Sequence, residues 1–291
     1  MEKYKFKELR TFISDEWMVN LTKKYRKVFD KAETAYVYCE LSFYNKSFDR
    51  ENWNATVTLK CFEETRKTEL CSLETFREIK SNENIVSIRD GWGHPQEGAY
   101  WPRGNYYWEA YIDNELVGEI EFAINDIGRV TAENNPYFDV ESIKAYIGDI
   151  DAYEKTERKY VKEIMGETTQ YVWVELKLKN KMNAEWHYEL FFNFFDNTHR
   201  MKGQVIREGI IPSGKADFLY TFDAGWGNNV PGSWKSEKYF IEVVFMETKI
   251  AQLELDCRSA KQDEIPKPLY HEEAPSVKGL FNKLINGGRK K

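Results

Sequence analysis

The feature that most constrains this chain is an internal duplication. Tyr36–Lys46 (Tyr-Val-Tyr-Cys-Glu-Leu-Ser-Phe-Tyr-Asn-Lys) returns 135 positions later as Tyr171–Lys181 (Tyr-Val-Trp-Val-Glu-Leu-Lys-Leu-Lys-Asn-Lys). The Gly-Trp-Gly tripeptide Gly91–Gly93 returns 134 positions later as Gly225–Gly227. Three further aromatic residues recur 133 positions later: Trp53 as Trp186, Trp101 as Trp234, and Tyr106 as Tyr239. Because rare residues recur in one order at a nearly constant spacing, the sequence predicts two copies of one structural unit.

The duplication also predicts the domain organisation. The 291 residues suffice for two ordinary domains, each with its own core. We place unit 1 at residues 1–126 and unit 2 at residues 137–256, joined by a connector at Asp126–Pro136 that is rich in turn-forming residues. Residues 257–291 are interpreted as a linker and a basic amphipathic tail.

Within each unit the sequence favours strands. Aromatic residues make up 15% of the chain, and runs such as Thr56–Phe62 and Tyr106–Ile112 are rich in strand-forming residues and bounded by turn signals. Phe6–Lys31 alone could pass for an amphipathic helix, but its counterpart alternates at Val140–Ile147, which favours a strand in both copies. About seven short strands in about 120 residues are typical of an immunoglobulin-like sandwich. The predicted fold is therefore all-β: two tandem immunoglobulin-like β-sandwiches with a short helical tail.

Charge and hydropathy limit the partners. The net charge is −6 with both signs spread along the chain, which argues against nucleic acid. The N-terminus lacks the apolar stretch of a signal peptide, and no eighteen apolar residues run together. We therefore expect a cytoplasmic protein that does not use a membrane as its partner.

No pattern in the sequence predicts catalysis or a cofactor. Gly209–Ala216 resembles a phosphate-binding loop, but Ala216 stands where the magnesium-binding Ser or Thr belongs. The four cysteines form no CxxC pair, and we interpret them as core residues. The four histidines are scattered, and none recurs in the other copy. A non-enzymatic protein without metal or cofactor is the prediction, although carboxylate spacing alone leaves a hydrolase open.

The Gly-Trp-Gly elements are the most distinctive candidate site. A second Trp follows each one within nine residues. One interpretation is a structural plug, in which flanking glycines bend the loop and lay the indole on the end of the sandwich. The other is an aromatic platform for a sugar ring or a peptide. The candidate ligand-binding residues are Trp92, Tyr100, Trp101, Trp226 and Trp234.

The tail offers a second candidate site. After the linker at Asp263–Pro268, five apolar residues fall at helical spacing: Val277, Leu280, Phe281, Leu284 and Ile285. So short a helix is not stable alone, so this stripe either frays or docks in the groove of a partner protein or, less favoured, on a membrane surface.

Several runs together resemble a known family. These are Phe12–Trp17, Tyr25–Asp30, Glu40–Asn45, Gly91–Gly93, Tyr106–Tyr111, Glu242–Met246 and Ile250–Ala251. They resemble the tandem β-sandwich region found ahead of an AAA+ ATPase module in bacterial proteins of the sporulation-protein-K-like type. This chain has no ATPase module, so the resemblance implies an adaptor or recognition role. It implies no particular site residues.

The leading hypothesis is thus a cytoplasmic binding or scaffold protein whose partners are other proteins, including an AAA+ ATPase or a larger assembly. The alternative is a carbohydrate-binding module that uses the Trp-rich loops.

Overall fold

The computed structural model describes residues 3–14 and 23–259, and this part of the chain is almost entirely β-strand. Two single 3₁₀ turns, Lys31–Glu33 and Ala152–Glu154, are the helical elements within these ranges. The all-β prediction is therefore confirmed for the described residues. The predicted helical tail lies outside them.

Eight strands build unit 1: β1 (Tyr4–Ser14), β2 (Val28–Asp30), β3 (Tyr36–Asn45), β4 (Trp53–Glu63), β5 (Thr68–Ile79), β6 (Ile85–Gly93), β7 (Gly104–Ile112) and β8 (Glu115–Asn125). They form a three-stranded sheet in the order β1-β3-β6 and a five-stranded sheet in the order β2-β8-β7-β4-β5. All neighbours are antiparallel except β2 and β8, which are parallel.

Nine strands build unit 2: β9 (Phe138–Gly148), β10 (Tyr160–Val161), β11 (Glu163–Met165), β12 (Tyr171–Asn180), β13 (Trp186–Phe195), β14 (Met201–Ile211), β15 (Leu219–Gly227), β16 (Lys238–Phe245) and β17 (Thr248–Arg258). Their sheets, β10-β9-β12-β15 and β11-β17-β16-β13-β14, repeat the strand order of unit 1 with β10 added at one edge. The parallel pair recurs as β11 and β17. Both copies thus share one immunoglobulin-like strand plan.

The alternation of the strands explains why they form two-layered units. In β4, Trp53, Ala55, Val57, Leu59 and Cys61 point inward and are buried, while the residues between them are more exposed. Successive side chains of a strand point to opposite faces, so this pattern gives each sheet one core face. The expected count of seven strands was low because β2, β10 and β11 are only two or three residues long and carry no alternation.

Two hydrogen bonds made by buried aromatic side chains recur in both units. The Trp53 Nε1–H donates to Asn45 Oδ1 at 3.0 Å, and the Trp186 Nε1–H donates to Asn180 Oδ1 at 3.1 Å. At the start of β7, the Tyr106 hydroxyl donates to the carbonyl of Pro102 at 2.8 Å. These bonds satisfy indole and phenol groups that would be costly to bury unpaired.

The Tyr106 bond to a carbonyl four residues upstream is the tyrosine corner of immunoglobulin-like folds. In unit 2 the Tyr239 hydroxyl accepts from the amide of Lys235, also four residues upstream, at 2.9 Å.

The cysteines lie in the cores as the sequence predicts. All four thiols are buried and free. Burial raises the pKa of Cys71 to about 12 and that of Cys257 to about 11, since a thiolate is poorly solvated there. The thiols therefore stay protonated and unreactive near neutral pH.

The junction between the units is built around two carboxylates. Asp30, which is fully buried, accepts from the backbone amides of Ile127 and Gly128, both at 2.9 Å, and from the Tyr137 hydroxyl at 2.5 Å. These donors belong to the chain between β8 and β9, so Asp30 holds the connector against unit 1.

Glu189 makes the second bridge from β13. Its Oε2 accepts from the amides of Lys27 at 2.5 Å and Val28 at 3.2 Å. Burial raises the pKa of Glu189, and the two amide hydrogen bonds oppose that rise. Val28 belongs to the apolar core of unit 2, so the units share buried surface.

Candidate functional site

The Trp-rich segment of unit 1 packs mainly inward, and its Gly-Trp-Gly element forms the end of strand β6, where Trp92 pairs with Val37 of β3, rather than a loop. Trp101 is 0% exposed and meets the rings of Tyr100, Tyr106 and Phe122 edge to face, with centroids 5.2 to 5.6 Å apart. Trp92 is half-buried, and its Nε1–H donates to the Tyr100 hydroxyl at 2.7 Å.

The last residue of the Gly91–Gly93 element has to be glycine. Gly93 has φ +151°, and a Cβ there would lie 2.1 Å from the carbonyl oxygen of Ala35. Glycine therefore allows the end of β6 to approach the backbone that leads into β3.

The Trp-rich segment of unit 2 repeats this arrangement, with Gly225–Gly227 at the end of strand β15. Trp234 is 3% exposed, its ring centroid lies 4.8 Å from that of Trp226, and its Nε1–H donates to the carbonyl of Gln170 at 3.3 Å. Trp226 is half-buried against β14, where a Cβ on Gly203 would come within 2.2 Å of its indole nitrogen.

These positions correct one part of the platform hypothesis. Trp101 and Trp234 lie in the cores of their units, so they have no face to offer a ligand. The other three candidates, Trp92, Tyr100 and Trp226, are partly exposed. Trp92 packs edge to face with Tyr100, and Trp226 does so with Trp234, so these rings do not form a coplanar surface. The other candidate residues, Val277, Leu280, Phe281, Leu284 and Ile285, lie outside the described residues.

Two neighbouring carboxylates on the outer face of unit 2 are bridged by an arginine. Glu175 on β12 and Asp223 on β15 are direct cross-strand neighbours. Arg158 bonds both of them, with Nη1 at 2.8 Å from Asp223 Oδ1, and Tyr160 donates to Glu175 at 2.8 Å. These side chains line a shallow cleft of about 500 Å³.

The electrostatics of this cluster favour a structural role. Burial acts to raise the pKa of Glu175, but the hydrogen bond from Tyr160 and the charges of Lys177 and Arg158 outweigh it, so the pKa is lowered. A general acid needs a raised pKa, and an arginine between two carboxylates prevents it. In unit 1, Glu40 similarly takes a hydrogen bond from Tyr25 and an ion pair from Lys23. In each copy these contacts hold the segment that follows the first strand, which contains Lys23 and Tyr25 in unit 1 and Arg158 and Tyr160 in unit 2.

Residues 3–14 and 23–259 contain no group of three or more His, Cys, Asp and Glu side chains placed to hold a metal ion. Over the same ranges, no helix is both long and apolar enough to span a lipid bilayer.

A cleft of about 730 Å³ lies at the junction of the units. Its apolar lining comes from Leu9 and Ile120 of unit 1 and, in unit 2, from Phe191, Met201, Ile206 and Val244. Basic residues of unit 1 line the opposite side, but these side chains are already engaged, for example Lys24 with Glu247 at 2.8 Å and Lys27 with Glu208 at 3.1 Å. The cleft therefore offers apolar surface rather than free charge.

The apolar lining of this cleft continues onto an open sheet edge. Within residues 3–14 and 23–259, strand β14 pairs with β13 on one side and with no strand on its other side. Three of its outward side chains are strongly exposed, Met201 at 48%, Ile206 at 43% and Ile210 at 50%, and they alternate with the polar outward residues Gln204 and Glu208. The unpaired main-chain groups of an edge strand are a ready template for pairing with another chain.

The sequence analysis missed the junction. Asp30 and Glu189 have the uncharged counterparts Met165 and Thr56 in the other copy. A charge present in only one of two repeats is the signal that could have marked both residues as specific to the junction.

Comparisons with known proteins find only weak structural similarities. No protein-family model matches the chain, and no curated protein matches it. Part of the chain is similar to a cycloisomaltooligosaccharide glucanotransferase of Paenibacillus sp., solved with cycloisomaltoheptaose, at 12% identity and a TM-score of 0.27. The match covers 42% of this chain and 14% of the enzyme.

A second solved structure is the alkylpurine DNA glycosylase AlkC of Pseudomonas fluorescens bound to DNA containing an abasic site analog. It matches at 8% identity and a TM-score of 0.28, over 46% of this chain and 32% of the glycosylase. This chain thus spans less than a third of the length of either protein, and neither likeness carries an argument about function.

Proposed function

We propose that this chain is a non-catalytic protein-binding scaffold or adaptor in which two sandwich repeats present an edge strand to another protein. The observation that carries this proposal is the open edge of β14 with its three exposed apolar side chains, Met201, Ile206 and Ile210. Exposed apolar side chains beside a cleft and an unpaired strand edge are common features of a protein interface.

The partner we expect adds an extended segment to β14. Main-chain hydrogen bonds to the open edge would supply affinity, and apolar side chains of the partner would enter the junction cleft beside Phe191 and Val244. Following the resemblance described above, an AAA+ ATPase or a multiprotein assembly in the cytoplasm is the partner class to test first. The four free thiols support a reducing compartment.

The test uses the natural difference between the repeats. The unit 1 counterparts of Ile206 and Ile210 are Glu74 and Glu78, which strand β5 tolerates. A partner is first identified by cross-linking the full chain in its source cells, and its affinity is then measured with purified proteins. We expect the double variant Ile206→Glu, Ile210→Glu to bind at least about tenfold more weakly, as the loss of a small apolar hot spot would require.

The control is Leu219→Glu, which places a charge on β15 at a position that is also exposed. It should leave the affinity unchanged, and all variants should melt near the temperature of the parent chain. A chain that stays alone after cross-linking, or a partner bound equally well by the double variant, would remove the proposal.

The alternative of a carbohydrate-binding module has lost two of its five aromatic residues to the cores, and we do not propose it.

A further inference from the structure

The outer face of the five-stranded sheet of unit 1 combines exposed aromatic residues with an unusual density of negative charge. Six glutamates point outward from β5, β7 and β8: Glu69, Glu74, Glu78, Glu109, Glu119 and Glu121. We call this surface the acidic face. Among the outward positions of β4, β5, β7 and β8, which the structure describes in full, Lys60 is the one basic residue.

The acidic face also carries apolar surface. Phe62 and Tyr107 stack with centroids 5.0 Å apart, and Phe76 is 70% exposed. Glu109 and Glu119 are directly opposite across β7 and β8. Like charges in that position destabilise a sheet, so a cationic occupant would relieve a cost that the free face bears.

Comparison with unit 2 shows that this character belongs to one copy only. Glu109 and Glu121 have the counterparts Glu242 and Glu254, but in unit 2 each carboxylate is paired with a lysine on the neighbouring strand. Lys249 lies 3.1 Å from Glu242, and Lys238 lies 2.8 Å from Glu254. In unit 1 the two lysine positions are occupied by Leu116 and Asn105. The acidic face therefore lacks these two lysines, and its one lysine, Lys60, pairs with Glu69 at 3.5 Å.

One segment of the chain outside the described residues has the complementary chemistry. Residues 276–291 contain five basic side chains and no acidic one: Lys278, Lys283, Arg289, Lys290 and Lys291. The same segment carries the apolar row from Val277 to Ile285 at helical spacing. Aromatic side chains bordered by glutamates suit a basic amphipathic segment of this kind.

The length of the linker allows this segment to reach the acidic face. Strand β17 begins beside the junction, where the Thr248 hydroxyl donates to the Val130 carbonyl, and its eleven residues span about 36 Å to Arg258. The sixteen residues 260–275 can extend over about 55 Å, which is enough to return to the junction. Glu121 marks the near edge of the acidic face there, because it lines a cleft together with His187 and Glu208 of unit 2.

We propose that residues 276–291 dock on the acidic face of unit 1 in the same chain, with lysines against its glutamates and the apolar row against its aromatic side chains. This proposal is independent of the role of β14, since it involves a face of unit 1 and residues 276–291 rather than a strand of unit 2. A basic partner segment would compete with the tail for the same face.

The experiment is carbodiimide coupling of the full-length chain, which joins a lysine amine directly to a carboxylate in contact with it. We expect couplings from Lys278 and Lys283 to glutamates of the acidic face in the monomer band. They should weaken as added salt shortens the screening length from about 10 Å at 0.1 M to about 3 Å at 1 M.

Matched variants test the location. Glu109→Gln with Glu121→Gln should lower the coupling yield about fivefold, while Glu242→Gln with Glu254→Gln, at the corresponding positions of unit 2, should leave it unchanged. Thermal melting confirms that both variants fold. Couplings spread evenly over both units, or equal yields in the two variants, would overturn the proposal. Couplings confined to a dimer band would make a second copy the occupant and overturn it equally.

Discussion

Replacing Asp30 by Ala tests the junction most directly. The substitution removes the acceptor of the Ile127 and Gly128 amides and of the Tyr137 hydroxyl. Each buried donor left without a partner costs about 1 to 3 kcal/mol, and water entering the space recovers part of that. We therefore expect the free energy of unfolding to fall by about 3 to 5 kcal/mol.

Urea denaturation followed by tryptophan fluorescence measures this change. With a slope of about 2 kcal/mol per molar urea, the midpoint of the transition that includes the junction should fall by roughly 1.5 M or more. Asp126→Ala is the control, because Asp126 is exposed and only pairs with Lys31 at 3.2 Å. It should change stability by less than about 0.5 kcal/mol. A loss below about 1 kcal/mol for Asp30→Ala would refute the view that this carboxylate holds the connector in place.

Three further predictions follow from the described contacts. Burial raises the pKa of Glu189, so the folded chain favours the protonated side chain. This preference adds to the free energy of unfolding in full below the ordinary glutamate pKa, and the added stability is lost as the pH rises through the pKa of the folded state. Glu189→Gln should therefore match or exceed the parent by up to about 1 kcal/mol in urea denaturation at pH 7, whereas Glu189→Ala should lose about 2 kcal/mol; equal losses would contradict this. Trp101→Ala should cost about 3 to 5 kcal/mol in the same assay, and Trp92→Ala distinctly less, because only Trp101 is fully buried. Mass spectrometry after alkylation should find all four thiols unmodified in the native chain and modified after denaturation; rapid native labelling of Cys61 or Cys39 would show that the cores are more open than the structure has them.

The repeat was the part of the fold that the sequence could reveal. Two copies share the same strand order because the residues that recur, such as Trp53 with Trp186 and Tyr106 with Tyr239, hold corners that the fold needs in each copy. The alternation of β4 and its counterparts made the sandwich class predictable as well.

The junction and the faces were not predictable in the same way. Asp30 acts on amides 97 and 98 residues further along the chain, a relation that leaves no local period. The platform interpretation does not hold for Trp101 and Trp234, because rarity of a residue type does not distinguish a buried indole from an exposed one. The acidic face became visible only when strand register placed six scattered glutamates on one surface.

The pinned connector has a consequence for recognition. Asp30 and Glu189 hold the second repeat against the first. Two binding surfaces on different repeats therefore lie at a fixed distance from each other. A bivalent target that fits this spacing would bind its second contact at a high effective concentration, whereas one that does not fit would gain nothing from it.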